Sequence, residues 1–272
     1  MDFSWNEWLN LVVRWVHVFA AIMWVGQTYY FTWLDGQMST EEKAREKDSS
    51  LPEVWMVHSG GFYKVEKQKA LGVGPEKVHW FRWEAAVTWL TGMILLTLVY
   101  YMGGALMDES VADISLALGI ILGISFITLG WELYHFIVRA ALFRSEAAFA
   151  AFALILVAVA SFGLTRVFSG RAAYMHLGAL FGTIMAFNVW FSILPVQRKL
   201  IAAAAQGQPF DAALSAQAKL RSKHNTFMAV PVVFIMLSSH FPTATYGNSY
   251  NWQILTLLVL AGWVAARFIR EA

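Results

Sequence analysis

Seven histidines and a few arginines and acids stand inside or beside long apolar runs of this chain. An ionisable side chain is costly to place in such a run, so each is a functional candidate by default. Arg14 and His17 are three residues apart and share one helix face. His176 lies in a later apolar run, with Arg166 and Arg171 just before it. Two imidazoles facing each other across a bundle, with arginines toward water, suit a b-type haem. His17 and His176 would hold the iron, and Arg14 and its fellows would pair with the propionates. The plainer alternative is that both histidines hydrogen-bond between helices while the arginines snorkel to headgroups.

A second group gathers at the other ends of the runs. HWFRWE places His79, Arg82 and Glu84 at the mouth of the second run, with Trp80, Phe81 and Trp83 between them. KHN places His224 and Asn225 at the mouth of the sixth. VHSGGFYKVEKQ contributes His58, Gly60, Gly61 and Phe62, and its glycines allow close backbone approach to an anion. A carboxylate buried beside histidines can accept protons, a role open to Glu84 or His58, with Arg82 beside them. The alternative is that Arg82, Glu84 and the tryptophans are interfacial anchors. A second haem near His79 and His224, or Cu or Zn on three histidines, uses the same residue types. His240 joins the outer set, whereas His135, one turn from Glu132, reads as a satisfied polar core residue. The sequence contains no Ser-His-Asp arrangement, phosphate loop or HExxH, so histidine-held redox chemistry is the best generic reading.

The elements that must position these groups are membrane helices. The chain is 58% hydrophobic and 14% charged, with mean hydropathy +0.52. Its thirteen Trp and nine Tyr suit aromatic belts at lipid interfaces. The absence of cysteine excludes disulfides, iron–sulfur clusters, catalytic thiols and covalent haem c. A net charge of +2 without a basic block gives no nucleic-acid surface. The acidic start MDFSWNEW lacks a signal-peptide cleavage pattern and is expected to be retained.

A bilayer core of about 30 Å needs roughly 20 apolar residues per helix. Seven spans are expected, at 9–34, 84–104, 112–138, 147–168, 172–195, 225–242 and 252–269. The expected fold is therefore an all-α polytopic bundle forming one membrane domain over 1–272. Counting each span's last turn with the segment after it, seventeen Lys and Arg fall on one side and two on the other. That bias puts the N-terminus outside and the C-terminus in the cytoplasm. The insert 35–83 is then cytoplasmic. The segment 197–222 reads as two amphipathic interfacial pieces split at Gly207 and Pro209, with solvated anchoring charges. A weak internal repeat equates span one with five, two with six and three with seven.

Taken together, WLDGQM, VHSGGFYKVEKQ, KVHWFRWEAAVTW, GRAAYMHLGALFGTIM, PVQRK and RSKHNTFMAVPVVFIMLSSHFP resemble the N-terminal membrane domain of the membrane-bound bacterial urate oxidase (urate hydroxylase) family. The likeness runs from about residue 8 to 269. It implies a multi-span domain of the bacterial inner membrane, typically followed by a last helix and a cytochrome c domain. It also implies oxidation of urate to 5-hydroxyisourate with electrons passed to the respiratory chain. The first span further resembles that of copper-resistance-type and protoporphyrinogen-oxidase-type membrane proteins, some of which bind haem b. By motif, the family's HGGGFY-like segment falls on His58, Gly60, Gly61 and Phe62, and its HWF.WE segment on His79, Trp80, Phe81, Trp83 and Glu84. Its later histidine segments fall on His176, His224, Asn225 and His240. The chain departs from the pattern at Ser59, Lys64, Thr226 and Ser239, and it stops after span seven. The expected partner is accordingly a separate c-type cytochrome. The alternative role is a non-catalytic subunit anchoring or relaying electrons in a larger respiratory or photosynthetic complex.

Overall fold

A computed structural model describes residues 4–44, 51–68, 78–209 and 211–271. Helix α1 (Trp5–Ala44) runs 40 residues, so it outlasts a bilayer and continues beyond the expected span. Strands β1 (Glu53–His58) and β2 (Gly61–Glu66) form a hairpin beside it. Helix α2 (Trp83–Leu96) ends in a π-helical turn, Thr97–Tyr101. Then come α3 (Leu116–Arg139), α4 (Glu146–Val167) and α5 (Gly170–Phe187). A second π-helical stretch, Asn188–Ile193, joins α5 to α6 (Leu194–Ala205) without a break. Helices α7 (Ala212–Ser238) and α8 (Asn251–Glu271) complete the bundle.

Six helices among the described residues are long and apolar enough to cross a membrane, taking α5 through α6 as one. The sixth expected span is the exception. It forms the second half of α7, whose first half carries Lys219, Arg221, Lys223 and His224 and lowers the apolar character of the whole. The expected break at Gly207 is present, with φ +67°. Its flanks are not separate interfacial pieces: they prolong α5 on one side and begin α7 on the other. The rest of the expected insert, 45–50 and 69–77, lies outside the described residues.

Helix α5 is the axis of the bundle. Half of its apolar window is buried, against 22% or less in the other five candidate spans. Alanine and glycine on its surface let α3, α4 and α7 close on it; Tyr174, Leu177, Leu180 and Ile184 fill the centre. Pro231, inside α7, removes a backbone donor and would open the helix on its own. Gly262 of α8 closes over it, since a Cβ there would stand 2.8 Å from the proline ring.

The bundle alternates up and down, and so has two ends. The hairpin end holds the start of α2, the end of α3, the start of α4, α6 and the start of α7. Asp35 of α1 ties it together, pairing with Lys67 at 2.6 Å and Lys219 of α7 at 3.0 Å. Lys223 bridges α7 to Glu146 at the start of α4. The opposite, distal end is tied by Ser169, which donates to the Ala105 carbonyl at 2.7 Å, and Tyr174, which donates to Asn251.

The hairpin was legible in EVWMVH and GFYKVE, which alternate around SG, but the insert reads as merely hydrophilic by charge. Ser59 and Gly60 form its turn with φ +50° and +77°, the left-handed pair that a tight hairpin requires. Lys64 sits between Glu53 and Glu66 at 2.6 and 2.7 Å, and hydrogen bonds to these carboxylates raise its amine pKa.

Candidate functional site

The expected residues separate into four places. At the distal end, His176 is fully buried on α5. Its Nδ1 lies 2.8 Å from the Ala172 carbonyl, which can only accept, so Nδ1 carries the proton. Its Nε2 then accepts from the Tyr101 hydroxyl at 3.1 Å. Phe168 stacks on the ring at 4.7 Å, and Gly123 of α3 lies close to Nε2, where a Cβ would stand 2.6 Å away. Both nitrogens are occupied and the ring is enclosed.

His17 is placed differently. Its Nδ1 meets the Thr88 carbonyl at 3.0 Å and Thr91 Oγ1 at 3.1 Å, both on α2. The carbonyl again takes the proton, which leaves Nε2 as a lone pair. Tyr101 follows Thr91 by ten residues, roughly 15 Å along the helix, so His17 and His176 are anchored at different depths. They do not face each other, and a haem held between them does not fit. Among the described residues His17 has a ligand's arrangement, an Nδ1–H fixed on a carbonyl with no partner at Nε2. Arg14 donates to Asn10 at 3.0 Å, and His240 is exposed in the loop before α8.

At the hairpin end a polar network is buried between α3, α7 and the second π-helical stretch. Arg221 donates to Asn188 Oδ1 at 3.2 Å and to the His135 carbonyl at 3.4 Å, with its guanidinium 5.0 Å over the Tyr134 ring. Asn188 Nδ2 donates to Asn225 Oδ1 and to the Tyr134 hydroxyl, each at 2.9 Å. Because that hydroxyl accepts from Asn188, its own proton goes to His224 Nδ1 at 2.9 Å. His224 is thereby a neutral imidazole with its proton on Nε2, stacked 4.9 Å from Phe149. Asn225 Nδ2 donates to the Met185 carbonyl at 2.9 Å, next to the π-helical stretch. In this tautomer His224 has no nitrogen left for iron. His79 lies elsewhere, exposed, 4.6 Å from Phe81, which in turn meets Phe31 of α1. A haem shared by His79 and His224 does not fit either.

The fourth place is the start of α2. Arg82 holds its guanidinium 5.4 Å from the Trp83 ring and 5.8 Å from that of Trp190. Arg198 of α6 lies 5.9 Å over Trp80. Trp80, Trp190 and Trp24 pack on a small apolar cluster of Ala85, Val189 and Leu194. Arg82 Nε and Trp190 Nε1 are both buried without an acceptor among the described residues. Glu84, two residues on, has no side-chain partner among the described residues. This patch offers indole faces, two guanidinium groups and unpaired donors, which together suit a flat anion.

Of the expected substrate and catalytic residues, the structure gathers Arg82, Trp83 and Glu84. Among the described residues no contact joins His58, Gly60, Gly61 or Phe62 to them: these form the hairpin tip, where His58 Nδ1 meets Ser59 Oγ at 3.0 Å. Asn225 belongs to the buried network. Sequence reasoning missed Trp190, Arg198, Arg221, Asn188 and Tyr134. A lone amide in IMAFNVWF was a readable signal for Asn188. Arg221 had been read as a solvated anchor of the interfacial segment, but it is 6% exposed, because α7 starts earlier and places it one turn before Asn225. No three His, Cys, Asp or Glu side chains come together as a metal site among the described residues.

No curated protein and no solved structure matches the chain. A family model described as urate oxidase N-terminal matches residues 4–272.

Proposed function

The chain belongs to the urate oxidase N-terminal family, and from that premise we propose that it is a urate-oxidase-like membrane redox protein. It takes electrons from urate or a similar small reduced substrate and passes them to an external c-type cytochrome. The observation that supports a substrate site is the patch at the start of α2, where Arg82 Nε and Trp190 Nε1 lie buried without acceptors among the described residues. Urate is a planar anion at neutral pH. Its ring would lie on indole faces while its oxygens receive the unpaired donors, each charge-assisted bond contributing about 1.5–3 kcal/mol. Arg198 adds a second positive charge beside Trp80.

Conversion of urate to 5-hydroxyisourate takes up a water and releases two protons and two electrons. Glu84 stands in the first turn of α2, two residues from Arg82, and its unpartnered carboxylate is the proton acceptor. A haem b would be held through His17 Nε2, with the Thr88 carbonyl fixing the ring, and would supply one-electron storage. With the hairpin end cytoplasmic, as the Lys and Arg bias argues, substrate enters from inside and the cytochrome docks outside.

The test is urate-dependent reduction of a c-type cytochrome by the protein in its native membranes. Arg82→Ala is expected to raise KM for urate at least about tenfold, the loss of one charge-assisted bond. A Soret band lost in His17→Ala and kept in His176→Ala is expected alongside. If native membranes show no urate-dependent reduction, the second reading holds: a non-catalytic anchoring or relay subunit. What favours that alternative is that no contact joins His58 to Arg82 among the described residues.

A further inference from the structure

The hairpin has two unlike faces. Val54, Met56 and His58 project to one side, and Glu53, Trp55 and Val57 to the other. The register pairs Trp55 with Lys64 and Val57 with Phe62, so these four share the outer face. Toward the tip that face is apolar and open, with Val57 69% and Phe62 78% exposed; one pair further down, Trp55, 62% exposed, stands opposite Lys64. Toward the base it is charged, with Lys64 held between Glu53 and Glu66. An exposed apolar cluster at one end of a charged hairpin needs an occupant.

Two contacts give the direction in which it points. Lys67, just past the base, pairs with Asp35 at 2.6 Å. Nearer the tip, the Tyr30 hydroxyl donates to the Met56 sulfur at 3.4 Å. Tyr30 is five residues, roughly 7 Å of helix, closer than Asp35 to the apolar middle of α1. From base to tip the hairpin therefore runs back along α1, away from the charged end. The turn extends a further two residues, roughly 7 Å, past Met56. That brings the turn to about the level of Gly26, and Val57 with Phe62, one residue past Met56, to about that of Thr28, inside the apolar run of α1. Around this level α1 carries Tyr30 and Phe31, which are 40% and 42% exposed. The hairpin tip continues that apolar surface.

We propose that the hairpin is a wedge seated in the bilayer leaflet at its own end of the bundle, with Trp55, Val57 and Phe62 among the lipid headgroups and upper acyl chains. The occupant of its open face is lipid. An aromatic and aliphatic tip with a charged base matches the gradient of polarity across that boundary. The wedge holds the end of α1 against the membrane surface. It stands whether or not urate is the substrate.

The chain has no cysteine, so single labels can be placed without background. Phe62→Cys, Val57→Cys and Glu66→Cys, each carrying one fluorophore in the full chain, are reconstituted into phosphatidylcholine–phosphatidylglycerol vesicles. Nitroxide placed high on the acyl chains is expected to quench positions 57 and 62 several-fold more than position 66, and aqueous iodide to show the reverse order. Equal iodide quenching at 62 and 66 would put the tip in water and overturn the proposal. Protection of 57 and 62 from both quenchers would mean that protein covers them, and would overturn it as well. Position 57 keeps the test open should the label at 62 disturb the turn.

Discussion

Tyr134 shows how much one hydroxyl decides. It accepts from Asn188 and donates to His224, so its orientation fixes the histidine as a neutral Nε2–H donor. Tyr134→Phe leaves His224 Nδ1 and one Asn188 N–H buried without partners, at about 1–3 kcal/mol for each such group. The variant is expected to melt several degrees lower in detergent, while Tyr63→Phe on the exposed hairpin should melt like the native protein. Unchanged melting of the Tyr134 variant would mean that water reaches this network. The candidate histidines were legible as types and depths, because an ionisable group in an apolar run stands out. Their partners were not, since Tyr101 with His176 and Tyr134 with His224 are 75 and 90 residues apart in the chain. Only packing brings them together, and packing is what separated His17 from His176.

At the scale of elements, the spans could be read because roughly 20 apolar residues in a row admit few other structures. The two π-helical stretches could not, as nothing in TLVYY or NVWFSI marks a change of helical pitch. Yet the second one sets Asn188 toward α7, where it meets both Arg221 and Asn225. The hairpin was hidden by its charges, although its alternation and its SG turn were present. At Ser59 the turn has the positive φ that suits the glycine expected there by resemblance. A non-glycine residue at φ +50° is strained by roughly 1 kcal/mol, and Ser59→Gly removes that strain. The substitution is expected to slow amide hydrogen exchange at the Met56 and Tyr63 pair, which the register places at hydrogen-bonded positions. Faster exchange there would show that the turn is not what limits the hairpin.

At the scale of the whole molecule, the bundle is organised around α5, with functional groups at both ends. The hairpin end is richer, holding the Arg82 patch, the Arg221 network and the shared carboxylate of Asp35. The distal end holds a closed Tyr101–His176 pair. Between them stands one element that does not qualify as a span by its own composition, α7. Its Pro231 is enclosed by Gly262, and that fit bears on how the protein is made. A helix with a polar first half and a broken hydrogen-bond ladder is a poor candidate to enter lipid alone, whereas α8 is apolar and carries the surface that covers the break. A label at Ser249→Cys is expected to react from the distal side in the full chain. In a chain ending after Tyr250 it should react from the hairpin side, and distal labelling of that truncated chain would refute the dependence. During synthesis α7 would then wait at the membrane surface until α8 emerges from the ribosome, and the two would insert together as a pair.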